Sequence, residues 1–504
     1  MPQNIREVKG SFFTPKIWVK KSQEYLGKIF GDNWQDEYYI WECAAGTGNL
    51  LAGLKNKYRV WASTLDQPDV DTMHALIDGG LNLLHGHVFQ FDFLNDNFDK
   101  LPQGLKEIID NPEKREKLII YINPPYAEAA TAATVYGTGE NKAKVSNLLL
   151  THERYANYLG KAGRELFVQF LTRVYFEIGG CKIAEFSKLK TLQSPNFRSF
   201  RAVFLARLEK CFVVPAYTFD NVKGKFPIGF KIWDTEKKEE FKETVADVYD
   251  ENGGYIGEKT YLSCDGVKTI NDWLKNFVNT GAALAAMCCK GTDFQNAKYV
   301  NVNLPARLKG VGNSKGVTNF TITEKNFAYA AIYYSARHVL PSSWMNDRDQ
   351  FLYPRDGWEA DMEFRNNCLI FFLFNVNTQS AYGVNHWIPF SEMEAGAKEK
   401  FTSNFMNRYL KGKTFSPEAR ALLETGLALY QYYHVKIKEN NSASVNASFY
   451  DIREFFQGRK ENGAMNANSA DETYSALMSR LRAAQKIVTA KIAPKIYEYG
   501  FLRK

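Results

Sequence analysis

The apolar run Leu118-Ile119-Ile120-Tyr121-Ile122 ends abruptly in Asn123-Pro124-Pro125-Tyr126, and this junction constrains the chain more than any other stretch. Five apolar residues halted by a proline pair read as a strand that stops at its carboxyl edge. The Asn123 side-chain carbonyl and the main-chain carbonyl of Pro124 can both accept hydrogen bonds from a single NH2 group. The prolines fix φ at about −65° and remove two donors, so those carbonyls face no competing N–H. Tyr126 adds an aromatic face on which a base can stack. An exocyclic amine is a poor nucleophile because its lone pair is delocalised into the ring. Two well-placed acceptors draw that nitrogen toward sp3 geometry without any ionised base. Taken alone, the four residues also fit an ordinary strand-to-loop turn, since Asn-Pro and Pro-Pro are common turn dipeptides.

Three other segments share the same arrangement. Tyr38–Trp41 is a short apolar run followed by Glu42-Cys43-Ala44-Ala45-Gly46-Thr47-Gly48-Asn49-Leu50-Leu51, which reads as strand, Gly-rich turn and helix start. Small residues such as Ala44, Gly46 and Gly48 let a ligand approach the backbone there. Arg59–Leu65 is a second strand, ending in Asp66, where an acid is placed to bind ribose hydroxyls. His87–Phe91 is a third, ending in Asp92-Phe93, an acceptor for an amino group beside a ring. Each candidate sits at the carboxyl end of a predicted parallel strand, where open α/β sheets bind ligands.

The order of these motifs resembles the gamma-class S-adenosylmethionine-dependent DNA adenine methyltransferases of restriction-modification systems. Gly10-Ser11-Phe12-Phe13-Thr14-Pro15 matches the family's opening segment and precedes the Gly-rich loop, as that class requires. The resemblance covers roughly residues 10–235. It implies a Rossmann-like class I methyltransferase domain with a mostly parallel seven-stranded sheet, joined to a mixed α+β target-recognition domain. It also implies that Thr14 and the Ala44–Gly48 loop hold the methionine part of the cofactor. Asp66 would take the ribose, and Asp92 with Phe93 the adenine. The family's Asp-Pro-Ala-Cys-Gly-Ser-Gly is Glu42-Cys43-Ala44-Ala45-Gly46-Thr47-Gly48 here; Glu42 keeps the charge and adds a methylene. Glu165–Val174 reads as an amphipathic helix leading to Gly179-Gly180 and a strand, with Phe212–Val214 and Phe226–Trp233 as closing antiparallel strands. An aromatic residue before the last strand packs on the flipped base in this family; Phe219 is the first candidate and Phe226 the second, against a plain core role in a chain with 36 Phe.

Charge is compatible with a polyanionic partner: 64 Lys and Arg against 56 Asp and Glu, net +8. Through residue 234 there are 30 basic and 26 acidic residues, leaving 34 and 30 beyond, so any duplex DNA footprint must come from local patches. Three segments are candidates. Lys142 and Lys144 close a small-residue loop after Tyr126. Between Lys182 and Lys210 seven basic residues face two acidic ones. Arg307, Lys309 and Lys315 surround a Gly-rich stretch that can donate N–H groups to phosphates. No apolar run approaches the ~18 residues of a membrane span, and no signal-peptide core is seen. Seven Cys, at positions 43, 181, 211, 264, 288, 289 and 368, show no CxxC or His/Cys zinc spacing. No metal is expected, and a reducing cytoplasm is.

The charge run Asp234–Glu240 suggests a boundary, dividing the chain into a catalytic domain at 1–235, a target-recognition domain at 236–415 and a helical region at 416–504. In the C-terminal half Cys368–Phe374 reads as a long apolar strand, and 417–435 and 471–498 as amphipathic helices. No nuclease signature is found, so any partner endonuclease would be separately encoded. The expected activity is methyl transfer from S-adenosylmethionine to N6 of a flipped adenine in duplex DNA. Alternatives are cytosine N4 methylation, a protein or RNA substrate, and a non-catalytic specificity subunit on the same scaffold.

Overall fold

Leu118–Ile122 is the strand its composition predicts, and both its faces are covered. Leu118, Ile120 and Ile122 pack into one hydrophobic cluster and Ile119 and Tyr121 into another. A strand buried on both faces has no reason to alternate polar and apolar residues, hence the unbroken run. The computed structural model describes residues 13–126, 149–220, 222, 224–304, 319–439 and 443–503. Contacts divide the chain into two units, Met1–Gly266 with Ser343–Arg348, and Val267–Ser342 with Asp349–Lys504.

The first unit is a three-layer α/β structure around one large sheet. Its strands are β1 (Tyr39–Glu42), β2 (Val60–Thr64), β3 (Val88–Gln90), β4 (Leu118–Ile122), β5 (Lys182–Lys188), β6 (Ala206–Pro215), β7 (Pro227–Lys238), β8 (Glu243–Tyr249) and β9 (Tyr255–Leu262). They lie in the order β3-β2-β1-β4-β5-β7-β6-β8-β9. Strands β3 through β5 are mutually parallel, and β7 runs antiparallel to both β5 and β6. Helices α1 (Lys16–Phe30) and α2 (Gln67–Asp78) bury Trp18, Tyr25, Val70 and Met73 against one face. Helices α3 (Gln103–Asp110), α4 (Leu150–Leu159) and α5 (Leu166–Glu177) bury Leu105, Ile108, Leu159 and Phe167 against the other.

Among the described residues the sheet has nine strands where seven were expected. The run Asp234–Glu240 is not a linker: β7 continues to Lys238, and the β8–β9 hairpin extends the sheet to Leu262. Asp234 is buried between Lys182 at 2.8 Å and Lys237 at 3.2 Å, and residues 236–240 form the exposed strand end and turn. An exposed strand end accumulates charge as readily as a linker does, so composition alone did not separate them.

Among its described residues the second unit holds a three-stranded antiparallel sheet of Ala285–Cys288, Val302–Asn303 and Asn319–Ile322, with five longer helices. These are α6 (Phe327–His338), α7 (Met362–Leu373), α8 (Pro417–Lys436), α9 (Phe449–Gln457) and α10 (Glu472–Glu498). Residues 368–373, expected as a strand, belong to α7, with Phe374 as its cap. Every residue from Asn366 to Phe374 is buried, so the run carries neither helical nor strand periodicity. Helices α8 and α10 share one hydrophobic core with α6 and α7, which joins the region beyond 416 to the preceding segment.

Candidate active site

Strand order reverses at β1, which has β2 on one side and β4 on the other. The carboxyl ends of two such parallel neighbours diverge into helices on opposite faces and leave a crevice. Glu42 is the last residue of β1, and Asn123 follows the last residue of β4.

On the β1 side the chain turns through Gly46 (φ 54°) and Gly48 (φ 78°). The positive φ of Gly48 favours glycine there, and a Cβ would also lie 3.2 Å from Met73 Sδ on helix α2, a tight contact. The helix start expected after the loop is a single 3-10 turn, Asn49–Leu51. Glu42 is 2% exposed, and its Oε2 has no hydrogen-bond partner. Burial pushes its carboxyl well above the usual range, with no opposing cation among the causes. A buried carboxyl oxygen in this state calls for a cation or donor that the described residues do not supply. The ammonium of a methionyl group supplies both, so the β1 edge fits the amino-acid part of S-adenosylmethionine. Ala44, half-buried, lies in the same loop.

Asp66 is half-buried after β2, at the N-cap position of α2, where its side chain makes no cap bond. Asp92 is half-buried after β3, and its carboxylate accepts from Leu94 N at 3.1 Å and Asn95 Nδ2 at 2.7 Å. Phe93 lies elsewhere than a free stacking surface. It is 2% exposed, stacks on Phe170 at 5.1 Å, meets Trp41 at 5.5 Å, and its carbonyl accepts from Arg173. Its ring is therefore committed to the core beneath the crevice.

On the β4 side, the Asn123 amide is fixed at both ends. Nδ2 donates to Thr14 Oγ1 at 2.8 Å, and Oδ1 accepts from the Tyr126 hydroxyl at 2.6 Å. The Tyr126 hydroxyl also reaches the Phe186 carbonyl at 3.3 Å. Tyr126 is 7% exposed, so its ring forms part of the pocket wall rather than presenting a face. Burial, reinforced by the charge of Glu185, raises the Tyr126 hydroxyl well above its ordinary value, so it stays a donor. Phe219 is buried with its ring on Phe186 at 5.8 Å, and Phe226 packs half-buried on the same cluster. Phe186 thus gathers Tyr126 through its carbonyl and Phe219 through its ring.

Charged groups absent from the sequence-based candidates lie beneath this pocket. Glu185 on β5 and Lys231 on β7 are cross-strand partners with both side chains fully buried and 3.0 Å apart. Burial raises the Glu185 carboxyl, and Lys231 only partly offsets it. Lys188 reaches the Tyr126 carbonyl at 3.4 Å and Glu165 at 3.2 Å, and Lys190 contacts the other Glu165 oxygen. Burial penalises the Glu165 charge, yet the two lysines prevail and hold its carboxyl below the usual range. A charge inside an apolar strand, as in Lys182-Ile-Ala-Glu185 or Phe230-Lys231-Ile232, is the signal that could have flagged the first pair.

All seven basic residues between Lys182 and Lys210 are engaged internally. Lys182 binds Asp234, Lys188 and Lys190 bind Glu165, Arg198 and Arg201 bind Asp265, Arg207 binds Glu209, and Lys210 binds Asp247. Each of the seven thus has a countercharge within the chain, and Arg198, with 66% of its side chain exposed, also faces solvent. Lys142, Lys144, Arg307, Lys309 and Lys315 lie outside the described residues. Among the described residues no group of three or more His, Cys, Asp or Glu could hold a metal ion, and no helix is long and apolar enough to cross a membrane.

No family model and no curated protein matches the chain. Among solved structures it is similar to the DrdV–DNA complex, at 12% identity over 58% of this chain and 36% of that one, with a TM-score of 0.38. It is also similar to a type I restriction-modification methyltransferase subunit from Streptococcus thermophilus, at 13% identity over 50% of each chain and a TM-score of 0.33. A third is a nuclease-deletion mutant of the type ISP restriction-modification enzyme LlaGI with a DNA substrate mimic, at 13% identity, 57% and 34% coverage and a TM-score of 0.35. The chain spans a third to a half of the length of these proteins. Such likeness is distant, and the functional reading rests on the residues of the site.

Proposed function

We propose that this chain transfers a methyl group from S-adenosylmethionine to N6 of an adenine swung out of duplex DNA. The observation that carries the reading is the joint placement, at one strand-order switch, of a neutral acceptor group after β4 and a buried carboxyl without countercharge at the end of β1. Glu42 and the Ala44–Gly48 loop would hold the methionine part, Asp66 the ribose and Asp92 the adenine amino group. When bound, the cofactor supplies an electrophilic methyl carried on a sulfonium. The chain's own residues supply position and polarity. Asn123 Oδ1 and the Pro124 carbonyl accept from the target NH2, orienting its lone pair, and Pro125 completes the donor-free edge. Tyr126 with Phe219 or Phe226 would stack the base. Extrusion costs a few kcal/mol, and stacking contacts of about 1–3 kcal/mol each offset it. Lys142, Lys144, Arg307, Lys309 and Lys315 are the proposed phosphate contacts, and a separately encoded endonuclease is the proposed biological partner.

The test is transfer of tritiated methyl from S-adenosylmethionine to unmethylated genomic DNA, followed by nucleoside mass spectrometry. Label in N6-methyladenine supports the reading. Label in N4-methylcytosine moves the target base. Cofactor binding without label on DNA rejects the proposed reaction and favours a protein or RNA substrate, or a specificity subunit.

A further inference from the structure

Thr14 was counted among the cofactor contacts, but its hydroxyl does something else in this structure. We infer that Thr14 is the positioning residue for Asn123, selecting which end of the carboxamide faces the target amine. The inference rests on the amino-transfer reading above and adds a role that reading does not contain.

A target NH2 brings donors and therefore needs an oxygen opposite it. The carboxamide of Asn123 carries one oxygen and one NH2 of nearly equal size, so sterics do not distinguish the productive rotamer from its 180° flip. Hydrogen-bond partners decide. In the flipped rotamer the amide NH2 would face the target NH2, donor against donor. Thr14 Oγ1 accepts from Nδ2 at 2.8 Å while the Tyr126 hydroxyl donates to Oδ1 at 2.6 Å, and these two contacts together hold the rotamer that presents Oδ1.

Thr14 is itself held in place. It is 3% exposed, and its carbonyl accepts from Asn49 Nδ2, in the turn after the Gly-rich loop. The next residue, Pro15, opens helix α1, with its carbonyl accepting from Trp18 N at 2.9 Å and Val19 N at 3.0 Å. The helix is tied to β4 by Ser22 and Tyr121, whose hydroxyls lie 2.5 Å apart, and to the 216–218 turn by Trp18 Nε1 on Thr218 at 2.7 Å. The hydroxyl that orients Asn123 is therefore fixed to the same strand that carries Asn123. One chain of bonds, Asn49 to Thr14 to Asn123 to Tyr126, links the Gly-rich loop to the base pocket.

Thr14→Val is nearly isosteric and removes the hydroxyl, with both its acceptor and its donor capacity; Thr14→Ser restores it. The experiment compares wild type and both variants by single-turnover methyl transfer, by calorimetric S-adenosylmethionine affinity, and by crystal structures that orient the Asn123 amide from its partners. In Thr14→Val the transfer rate should fall at least about twofold, because the amide keeps only its Tyr126 contact and the competent rotamer is no longer held from both ends. Cofactor affinity should stay that of wild type, and Thr14→Ser should recover the rate. An unchanged rate in Thr14→Val overturns the inference. So does a rate loss matched by an equal loss of cofactor affinity, which makes Thr14 a cofactor contact only. Should wild type transfer no methyl at all, the amino-transfer reading fails by itself. The crystal structures then still decide the positioning role, since a turned or split Asn123 amide in Thr14→Val upholds it and an unmoved one overturns it.

Discussion

Tyr126→Phe should capture the target base better than wild type, although Tyr126→Ala should capture it worse. In the free protein the Tyr126 hydroxyl donates to Asn123 Oδ1 at 2.6 Å, the atom the target amine has to use. The ring is 7% exposed, so it must leave its place in the wall before a base can lie on it. Leaving breaks the bond to Asn123 and the longer one to the Phe186 carbonyl at 3.3 Å. A protein hydrogen bond exchanged for water is worth about 0.5–1.5 kcal/mol net. Deleting the hydroxyl while keeping the ring should therefore raise base capture roughly 2- to 10-fold. Removing the ring instead forfeits about 1–3 kcal/mol of stacking, roughly 5- to 150-fold. Because burial keeps this hydroxyl protonated, the gain should be independent of pH across the neutral range. The assay is a duplex carrying 2-aminopurine at the target position, once sequencing of methylated DNA has located it. Its fluorescence rises on extrusion, and titration gives the capture constant for wild type, Tyr126→Phe and Tyr126→Ala. Equal or weaker capture by Tyr126→Phe, with its melting temperature near that of wild type, would refute the idea that this hydroxyl closes the pocket.

Asn123→Ala should abolish methyl transfer yet bind S-adenosylmethionine within about threefold of wild type by calorimetry, since the acceptor acts on the target; lost cofactor binding would contradict that division. Glu42→Gln should bind the cofactor about tenfold more weakly, because a charge-assisted bond becomes a neutral one. Glu42 sits above its ordinary range in the free protein through burial, so ionising against an incoming ammonium should release a proton at pH values below that raised pKa, and Glu42→Gln should release none in paired buffers of different ionisation enthalpy. Lys231→Met strands the buried Glu185 carboxyl and should cost about 3–5 kcal/mol, measured by denaturant unfolding. That deficit should be smallest in acid and grow as pH rises through the ordinary carboxylate range, since the folded variant resists ionising Glu185; a deficit constant with pH would argue against it. In the second unit burial holds His338 at about 4, with its ring stacked on Tyr334 at 3.9 Å. The unfolded chain binds that proton near pH 6.5 and the folded chain does not, so stability should fall from about pH 6.5 toward 4, less steeply in His338→Gln.

What could be read from the sequence follows the physics of each segment. Strand β4 and its Pro-Pro stop were legible because a doubly buried strand and a proline pair leave few alternatives. The same logic failed at Cys368–Phe374, where full burial erased the period that separates helix from strand. Asn123 and Glu42 were legible as strand-end residues, but the partners of Asn123 were not: Thr14 lies 109 residues away and meets it only because helix α1 packs on β4. Phe93 misled because an aromatic after a strand-end acid can point into either layer, and here Trp41 and Phe170 claim it. The basic stretch from Lys182 to Lys210 was hard to read for another reason. Its countercharges Glu165, Asp234, Asp247 and Asp265 are scattered along the chain, so a local window shows the cations without their partners.

The distribution of compensated charge explains why a neutral amide suffices at this pocket. Glu185 with Lys231 and Glu165 with Lys188 and Lys190 are closed ion groups beneath and beside Tyr126. Glu185 and Lys231 are a one-to-one pair 3.0 Å apart whose charges largely cancel at a distance, whereas two lysines on the one Glu165 carboxylate make a trio that sums to a positive charge. These groups brace the β5 end, and Lys188 holds the Tyr126 carbonyl. Glu42 is different, since burial perturbs it and no cation among the described residues answers it. A positively charged ligand therefore gains on the β1 side, where the Glu42 carboxyl lies. It gains less on the β4 side, where the neutral acceptors Asn123 Oδ1 and Pro124 O suit a neutral planar amine and the nearby trio sums to a positive charge. Two parallel strands side by side thus separate the two ligand chemistries by charge. Placing a carboxylate at Asn123 would undo that separation: Asn123→Asp should lose Thr14 as an acceptor for its amide and bring a second unpaired charge into the crevice.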